Sequence, residues 1–387
     1  MVAFAAISAV FFLPLPQHGV SNRSNQTAST SVAPNERGKG APSTIILARL
    51  PERFSFASAP VLVSGGSEAV ALLEPTEAGF GGSPLRLASI ELQTGRVTVG
   101  PVVAGNTATL FTGSGQVFLL NLFGTPIGHV ELWRVPSDLE PVLLARLPFT
   151  EKTTTIAEFG PTNPAIADAL VPGKDQEWIA DGSHILLVSL AEGHIVESRV
   201  VPSATEGNIW GLALATTSGP LYATFCRPRP GYLGDCGTIA EINLVNGSVI
   251  SERWYNGAEQ FGRYGIVATP AGTWLSAGGG GNGVWLDFFS KSGLRVTQID
   301  QLIGFLSLVS VGHVVWGSFG GAGLLGCSTV SATGVPYTTM VDRNVILGAG
   351  YPLGLTSQDR LLVATWGQVQ AGALVAVSVP RACASRG

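Results

Sequence analysis

Residues 43–51, Ser-Thr-Ile-Ile-Leu-Ala-Arg-Leu-Pro, and residues 140–148, Glu-Pro-Val-Leu-Leu-Ala-Arg-Leu-Pro, end in the same five residues. The second copy lies where the outermost strand of a four-stranded repeat is expected. The first copy has no repeat before it, so we predict that it supplies the outermost strand of the last repeat, at the other end of the chain. Such a pairing would close a ring of sheets. The alternative is a chance recurrence of five common residues.

The composition is typical of many short strands joined by tight turns. Hydrophobic residues make up 45% of the 387 residues and charged residues only 12%, while 50 glycines and 24 prolines punctuate short apolar runs. The formal net charge is -4 and the chain has no basic run. This charge pattern argues against nucleic acid as a partner.

The N-terminal region resembles an export signal and its leader. Val2–Leu15 is apolar but too short to span a bilayer comfortably, and Pro14 interrupts it. No Lys or Arg precedes it, and Ser31-Val32-Ala33 is only a weak cleavage signal. We therefore expect residues 1–42 to be an apolar signal-like segment with a disordered leader and residues 43–387 to be a single domain. The mature chain is expected to be secreted or extracytoplasmic, with no transmembrane anchor.

The four cysteines agree with export. Cys226 and Cys236 flank a turn-rich loop, and Cys327 and Cys383 lie in the last two repeats. We expect two structural disulfides, although four cysteines allow three connectivities. No pair has Cys-x-x-Cys spacing and no two histidines have the spacing of a metal pair, so no metal site is predicted.

A hairpin signal recurs every 41 to 55 residues. In it, a small or polar residue precedes a glycine that can adopt positive φ, between two alternating runs. Its turns fall at Gly95, Asp138, Gly193, Gly247, Gly293 and Gly334, with Asp138 lacking the glycine. This period fits a four-stranded propeller blade.

Each of these hairpins is preceded in the sequence by another hairpin. Six repeats show it well, whereas the third, Ile166 to His184, matches poorly and suggests a short helix or an extended loop. The seventh repeat has only three strand signals, and Thr44 to Leu50 would supply its fourth. The prediction is an all-β, seven-bladed β-propeller of four-stranded antiparallel blades, closed by the N-terminal strand joining the last blade.

The inner-strand entries of this chain resemble those of a large family. Trp210-Gly-Leu-Ala, Tyr264-Gly-Ile-Val and Leu353-Gly-Leu-Thr, together with the Thr-Gly and Asn-Gly hairpins, look like the YVTN, quinoprotein-like and WD40-like seven-bladed propeller superfamily. The resemblance covers about residues 43–383 and implies the fold. The WD dipeptide, the sialidase-type Asp boxes and the tryptophan-docking repeats of quinoproteins are absent.

Candidate ligand-binding residues lie in the loops that enter the innermost strands, because these loops surround one mouth of a propeller's channel. Aromatic, arginine and carboxylate side chains there could stack on and orient a polar ligand. The candidates are Glu206, Asn208, Trp210, Glu259, Gln260, Arg263, Tyr264 and Tyr351, with Asn106 and Glu158 in looser positions. The alternative is that Trp210 and Tyr264 only plug the channel.

Tryptophans recur in the second strand of later repeats. Trp274, Trp316 and Trp366 could form a stacking ladder, but packing between radially arranged sheets is the favoured interpretation.

No catalytic set is recognisable. The sequence has no Gly-x-Ser-x-Gly elbow, and its histidines do not group with carboxylates. We therefore expect an exported binding or interaction scaffold, monomeric and without a cofactor, that takes a protein or glycan ligand at the channel mouth. The alternatives are an enzyme of the quinoprotein-like or lyase-like propeller type, acting on a small polar substrate in the channel through Arg263 with Glu206 or Glu259, and a structural domain that has lost an ancestral activity.

Overall fold

The architecture is described from a computed structural model. It describes residues 44–63, 65–76, 84–103, 107–123, 127–152, 168–171, 174–181, 184–201, 208–214, 219–229, 232–245, 248–254, 265–278, 284–290, 295–302, 306–319, 324–331, 333–342, 349–366 and 372–384. The predicted signal-like segment and leader, residues 1–42, lie outside these residues. The division of the chain into this leader and a single domain therefore stays a prediction.

Twenty-nine strands and a short 3-10 turn, Arg381–Cys383, make up the regular structure of the described residues. The strands are β1 (Thr44–Arg49), β2 (Phe54–Phe56), β3 (Val61–Leu62), β4 (Glu68–Pro75), β5 (Leu85–Glu91), β6 (Val97–Val103), β7 (Thr107–Gly113), β8 (Gln116–Phe123), β9 (Ile127–Val135), β10 (Val142–Lys152), β11 (Asp168–Leu170), β12 (Gln176–Asp181), β13 (His184–Ser189), β14 (Ile195–Val200), β15 (Asn208–Leu214), β16 (Leu221–Arg229), β17 (Tyr232–Ile242), β18 (Val249–Trp254), β19 (Ile266–Thr269), β20 (Gly272–Gly278), β21 (Val284–Ser290), β22 (Arg295–Leu302), β23 (Leu306–Val311), β24 (Val314–Phe319), β25 (Leu324–Val330), β26 (Pro336–Asp342), β27 (Ala349–Leu355), β28 (Arg360–Trp366) and β29 (Ala373–Ser378).

The described strands form seven antiparallel sheets, which confirms the predicted fold class. Each sheet is a blade whose strands follow one another from the innermost to the outermost position. Blade 1 contains β2 to β6, blade 2 β7 to β10, blade 3 β11 to β14, blade 4 β15 to β18, blade 5 β19 to β22, blade 6 β23 to β26, and blade 7 β27, β28, β29 and β1.

Strand β1 pairs with β29, so the first described strand lies in the same sheet as the last three. Ile45 lies opposite Ala376 and Ile46 opposite Val375. The outermost position of blade 7, which the last three strands leave open, is thereby filled by residues from the other end of the chain.

The core is divided among the interfaces between neighbouring blades. Phe118 and Leu120 of blade 2, for example, pack with Ile179 of blade 3. Leu362 of blade 7 packs in the same way with Leu73 of blade 1. The last blade therefore packs on the first one, as neighbouring sheets of a ring do.

The second-strand tryptophans pack between blades. Trp274 is 0% exposed in the interface of blades 5 and 6, and Trp316 is 1% exposed in the interface of blades 6 and 7. Trp178 of blade 3 occupies the corresponding strand and packs against blade 4. This confirms the packing interpretation for Trp274 and Trp316, while the side chain of Trp366 lies outside the described part of the chain.

The outer hairpins turn where the sequence places them. Gly95, Gly193 and Gly334 have φ of +71°, +67° and +81°, a conformation that costs glycine little. In the turn without glycine, Leu139 adopts φ +64° and is buried between blades 1 and 2. Gly247 and Gly293 lie outside the described residues.

The expectation of a helix or an extended loop in the third repeat is wrong where the structure describes it. Strands β11 and β12 pair there, with Ala169 opposite Trp178, and complete a four-stranded blade. The strand pattern of β12 was hard to recognise in the sequence because this strand carries Glu177, a polar residue that is fully buried. A buried glutamate removes the apolar alternation by which a strand is recognised.

Candidate functional site

The innermost strand of each blade pairs on one edge only, and its other edge borders the central channel. We call the end of the ring at which the innermost strands begin the entry face. Among the predicted ligand-binding residues, Asn208 and Trp210 lie in β15 and Tyr351 lies in β27. Glu206, Glu259, Arg263 and Tyr264 lie outside the described residues, as do Asn106, Glu158 and Gln260.

Trp210 is the additional residue of a β-bulge in the innermost strand of blade 4. Ile209 pairs with Phe225 and Gly211 with Thr224, so no residue of β16 lies opposite Trp210. In blade 7, Pro352 pairs with Val363 and Gly354 with Leu362, so no residue of β28 lies opposite Leu353.

The two bulges fall on the same sequence motif. Trp210-Gly-Leu and Leu353-Gly-Leu each place the bulged residue directly before the glycine. Bulges change the direction of a strand and are common beside active sites and at the rims of barrels. The motif that was predicted to start the inner strands thus marks an irregularity on the channel side of two blades.

Tyr351 is half-buried in β27. It packs against the apolar cluster between blades 7 and 1, which contains Phe54, Phe56 and Leu362. Its ring is therefore anchored at an interface between blades, two residues before the bulge at Leu353.

Blade 1 contains a larger irregularity that the sequence reasoning missed. Its innermost strand is divided into β2 and β3, which pair with the two ends of β4. Ser58 and Pro60 lie between them and are buried. Pro60 was the available signal, because a proline inside a strand pattern indicates a bulge or an edge.

A two-stranded ribbon extends from blade 4 at the entry face. Strands β16 and β17 stay paired as far as Arg229 and Tyr232, beyond the first residue of β15, Asn208, which lies opposite Cys226. Phe225 pairs with Thr238 and Arg227 with Asp235, so Cys226 faces Cys236 and Gly237 across the base of the ribbon. Facing residues of an antiparallel pair have Cα separations of about 4.5–5.5 Å, within the range a disulfide requires.

The second predicted pair is bonded. Cys327 of β25 and Cys383 of the C-terminal 3-10 turn form a disulfide that is buried between blades 6 and 7.

A polar cluster lies in the outer half of blade 2. The Glu131 carboxylate is 5% exposed; its Oε1 accepts a hydrogen bond from Arg146 Nε at 2.9 Å and lies 3.2 Å from His129 Nε2. Its Oε2 accepts from Trp133 Nε1 at 3.1 Å. The cluster ties β10 to β9 by side chains as well as by main chain.

Glu74 lies in blade 1 near the start of β2. Burial raises the pKa of the Glu74 carboxyl, and a hydrogen bond from Ser55, whose Oγ is 3.4 Å from Glu74 Oε1, acts in the opposite direction. Burial also raises the pKa of the Tyr222 phenol in blade 4, which a hydrogen bond with Thr273 opposes and the Glu241 carboxylate reinforces.

Within the described ranges, no three histidine, cysteine, aspartate or glutamate side chains form a group that could hold a metal ion. The described residues also include no helix that is long and apolar enough to cross a membrane.

Comparison with solved structures identifies the class of fold. The chain is similar to Kuenenia stuttgartiensis hydrazine synthase, with a TM-score of 0.55, 10% identity and coverage of 84% of this chain and 96% of that chain. It is also similar to the Neurospora crassa Pan2 WD40 domain, with a TM-score of 0.52, 8% identity and coverage of 87% and 96%. The protein is thus a WD40-like seven-bladed β-propeller, a likeness of fold alone.

Comparisons with models of protein families and with curated proteins find no match.

Proposed function

We propose that this propeller is an exported binding scaffold that takes a glycan at the entry-face mouth of its channel. The observation that carries the proposal is the β-bulge at Trp210, which interrupts the regular innermost strand at the residue that the sequence selects as a stacking platform. Aromatic rings offer a large apolar face with a polar edge, which suits the alternating C–H and hydroxyl surface of a sugar.

The ribbon of β16 and β17 supports the choice of the entry face. It extends beyond the neighbouring strands of blade 4 at the end where β15 begins, so it adds surface beside the mouth. Binding residues are commonly carried by loops and extensions that a rigid scaffold positions.

The disulfide between Cys327 and Cys383 supports export. Structural disulfides persist in oxidising compartments and are rare in reducing ones. The pairing of Cys226 with Cys236, which the register of β16 and β17 favours, would add a second one.

The experiment is a binding screen with a matched control. The purified mature chain is applied to a panel of neutral and charged oligosaccharides, and the affinity of each hit is measured for the wild type, Trp210→Ala and Tyr337→Ala. Tyr337 lies on the outermost strand of blade 6, where it is 44% exposed and distant in the sheet from the channel. We expect Trp210→Ala to weaken binding by roughly 10-fold or more and Tyr337→Ala to leave it unchanged.

Three outcomes would contradict the proposal. Equal affinities of the wild type and a folded Trp210→Ala variant would remove the assigned platform. A chain that binds no oligosaccharide but captures a protein in a pull-down would refute the choice of a glycan and favour the protein-binding scaffold. Turnover of a small polar substrate would favour the enzyme alternative.

A further inference from the structure

The ribbon of β16 and β17 has a charge opposite to that of the whole chain. Its residues 226–236, Cys-Arg-Pro-Arg-Pro-Gly-Tyr-Leu-Gly-Asp-Cys, contain two arginines and one aspartate. The segment therefore has a net charge of +1, whereas the formal net charge of the protein is -4. Arginine is suited to planar anionic groups, because its guanidinium donates two parallel hydrogen bonds to them.

The strand register places the charged residues on one face of the ribbon. Arg227 lies opposite Asp235, and Arg229 lies opposite Tyr232. Residues that are directly opposite in an antiparallel pair share a face, as do residues two apart in one strand. Between these two pairs β17 has one residue more than β16, which is a bulge. One face of the ribbon therefore contains two arginines, a tyrosine and an aspartate.

The surplus positive charge of this face belongs to Arg229. Asp235 is the register partner of Arg227 and balances its charge, whereas the partner of Arg229 is the aromatic Tyr232. A guanidinium beside an aromatic ring suits an acidic sugar. The guanidinium donates hydrogen bonds to a carboxylate or sulfate oxygen, and the ring packs on the C–H face of the sugar.

The edges of the ribbon are poorly suited to pairing with a strand of another protein. Strand β15 begins at Asn208, opposite Cys226, and β18 ends at Trp254, opposite Thr238. Among the described strands, the part of the ribbon beyond these pairs has no neighbour at either edge. Pro228 has no amide hydrogen, and proline in an edge strand opposes the addition of a further strand. Recognition is thus left to the faces of the ribbon.

The ribbon begins beside the predicted stacking platform. Trp210 lies between the levels of Phe225 and Thr224 of β16. Counted from Phe225, Arg227 and Arg229 lie about 7 Å and about 13 Å further along the strand at 3.3 Å per residue. A single sugar ring is shorter than the larger separation, so only an oligosaccharide reaches both the tryptophan and the end of the ribbon.

We propose that the ribbon binds an anionic sugar unit of the glycan, through the guanidinium groups of Arg229 and Arg227 and the ring of Tyr232. The inference rests on the proposed function and adds to it the charge of the ligand. The glycan carries a carboxylate or a sulfate ester on the part that lies over blade 4, and another part of the same oligosaccharide contacts Trp210. The predicted disulfide between Cys226 and Cys236 would hold the base of the ribbon and reduce the entropic cost of binding.

The test compares three tetrasaccharides: one neutral, one with uronic acid carboxylates and one with sulfate esters. Affinities are measured for the wild type, Arg229→Gln, the double variant Arg227→Gln with Arg229→Gln, Trp210→Ala and Arg49→Gln. Arg49 is an exposed residue of the outermost strand of blade 7, so its replacement is a matched control for the loss of one positive charge. Thermal unfolding of each variant establishes that it is folded.

We expect the wild type to bind one of the two anionic tetrasaccharides roughly 10-fold more tightly than the neutral one, in line with a charge-assisted hydrogen bond. The better of the two identifies the anionic group. Arg229→Gln should lose most of this preference and keep its affinity for the neutral tetrasaccharide, whereas Arg49→Gln should behave as the wild type does. Trp210→Ala should weaken the binding of all three. The preference should shrink as salt rises from about 20 mM to about 300 mM, because salt screens the charges.

The outcomes separate the two proposals. Equal affinity of the wild type for the three tetrasaccharides would overturn the anionic subsite and leave the proposed function standing. A preference that survives in the double arginine variant, or that falls equally in Arg49→Gln, would overturn the subsite as well, because the charge would then act from elsewhere or without a defined contact. A wild type that binds none of the oligosaccharides would overturn both.

Discussion

The main-chain carbonyl of Leu47 lies directly against Gly95: a Cβ placed on Gly95 would be 2.5 Å from the Leu47 oxygen. Leu144 and Gly193 have the same relationship, with a separation of 2.7 Å. Leu47 and Leu144 are the first residues of the two Leu-Ala-Arg-Leu-Pro copies, and each lies at a break in the register of its strand. The repeated motif therefore forms a bulge whose carbonyl contacts the outer-hairpin glycine of the next blade.

Replacement of Gly95 or Gly193 by alanine is expected to destabilise the propeller by about 2–5 kcal/mol. Positive φ costs an L-residue about 1–2 kcal/mol, and the close carbonyl adds an overpacking cost of about 1–3 kcal/mol. Chemical denaturation measures the change. Gly334→Ala is the control, because Gly334 has φ +81° but no heavy atom within 4 Å of its Cβ position. Equal losses in all three variants would show that the carbonyl contact is without effect.

Removal of the disulfide by Cys327→Ala with Cys383→Ala should lower the free energy of unfolding by about 4 kcal/mol. The bond closes a loop with a sequence separation of 56 residues, and the stabilisation grows with the logarithm of loop length. Denaturation of the double variant and of the wild type gives the difference. A loss of stability below about 1 kcal/mol would contradict this prediction.

The pair Cys226 and Cys236 provides a comparison within the same protein. If it is bonded, its shorter loop predicts a loss of about 3 kcal/mol for the corresponding double alanine variant. Peptide mapping without reduction should recover residues 226 and 236 in one linked species.

Glu131→Ala should destabilise blade 2 by about 2 kcal/mol, whereas Arg146→Ala should cost less than about 1 kcal/mol. The glutamate is buried, and its removal leaves the Trp133 indole without its acceptor. The Arg146 side chain is 68% exposed, so water solvates its charge and screens its interaction with Glu131, and Trp133 and His129 remain beside the carboxylate when Arg146 is removed. Arg49→Ala is the matched control, because Arg49 holds the same place in the first motif copy but lies opposite Ala373. A larger loss for Arg146→Ala than for Glu131→Ala would refute this ranking.

The pH dependence of stability should differ between the wild type and Glu74→Gln. Burial raises the pKa of Glu74 above its usual value of 4.5, so the folded state holds the proton more tightly than the unfolded state does. The contribution of Glu74 is then fully favourable below its unfolded pKa and is lost as the pH rises through the folded pKa. Urea denaturation from pH 4 to pH 7 should show a smaller decline with rising pH for Glu74→Gln, and identical profiles would contradict the shift.

The sequence predicted much of the fold because a propeller repeats local signals. Gly95, Gly193 and Gly334 could be recognised as turns because glycine is the residue that adopts positive φ at little cost. Leu139 adopts the same φ for a different reason: its side chain is buried between two blades, where packing outweighs the local preference. Tertiary compensation of this kind is not visible in a local pattern.

The candidate site was less predictable from the sequence. The inner-strand motif located Trp210, but that it is a bulged residue follows from its pairing with β16 and not from its own neighbours. Ser58, which is buried between β2 and β3, was missed because a serine in an apolar run has no distinctive pattern. Pairing of Cys226 with Cys236 and the roles of Glu206, Glu259, Arg263 and Tyr264 remain predictions.

The pairing of Thr44 with Val377 joins the first described strand, β1, to the last described strand, β29. While the nascent chain is still on the ribosome, β1 must wait for its partner through more than three hundred further residues. A chain that stops short of Ala373 cannot complete the seventh sheet and leaves β1 with an open edge. Completion of blade 7 therefore waits until Ala373–Ser378 have been synthesised, so this sheet assembles later than any blade built from consecutive strands.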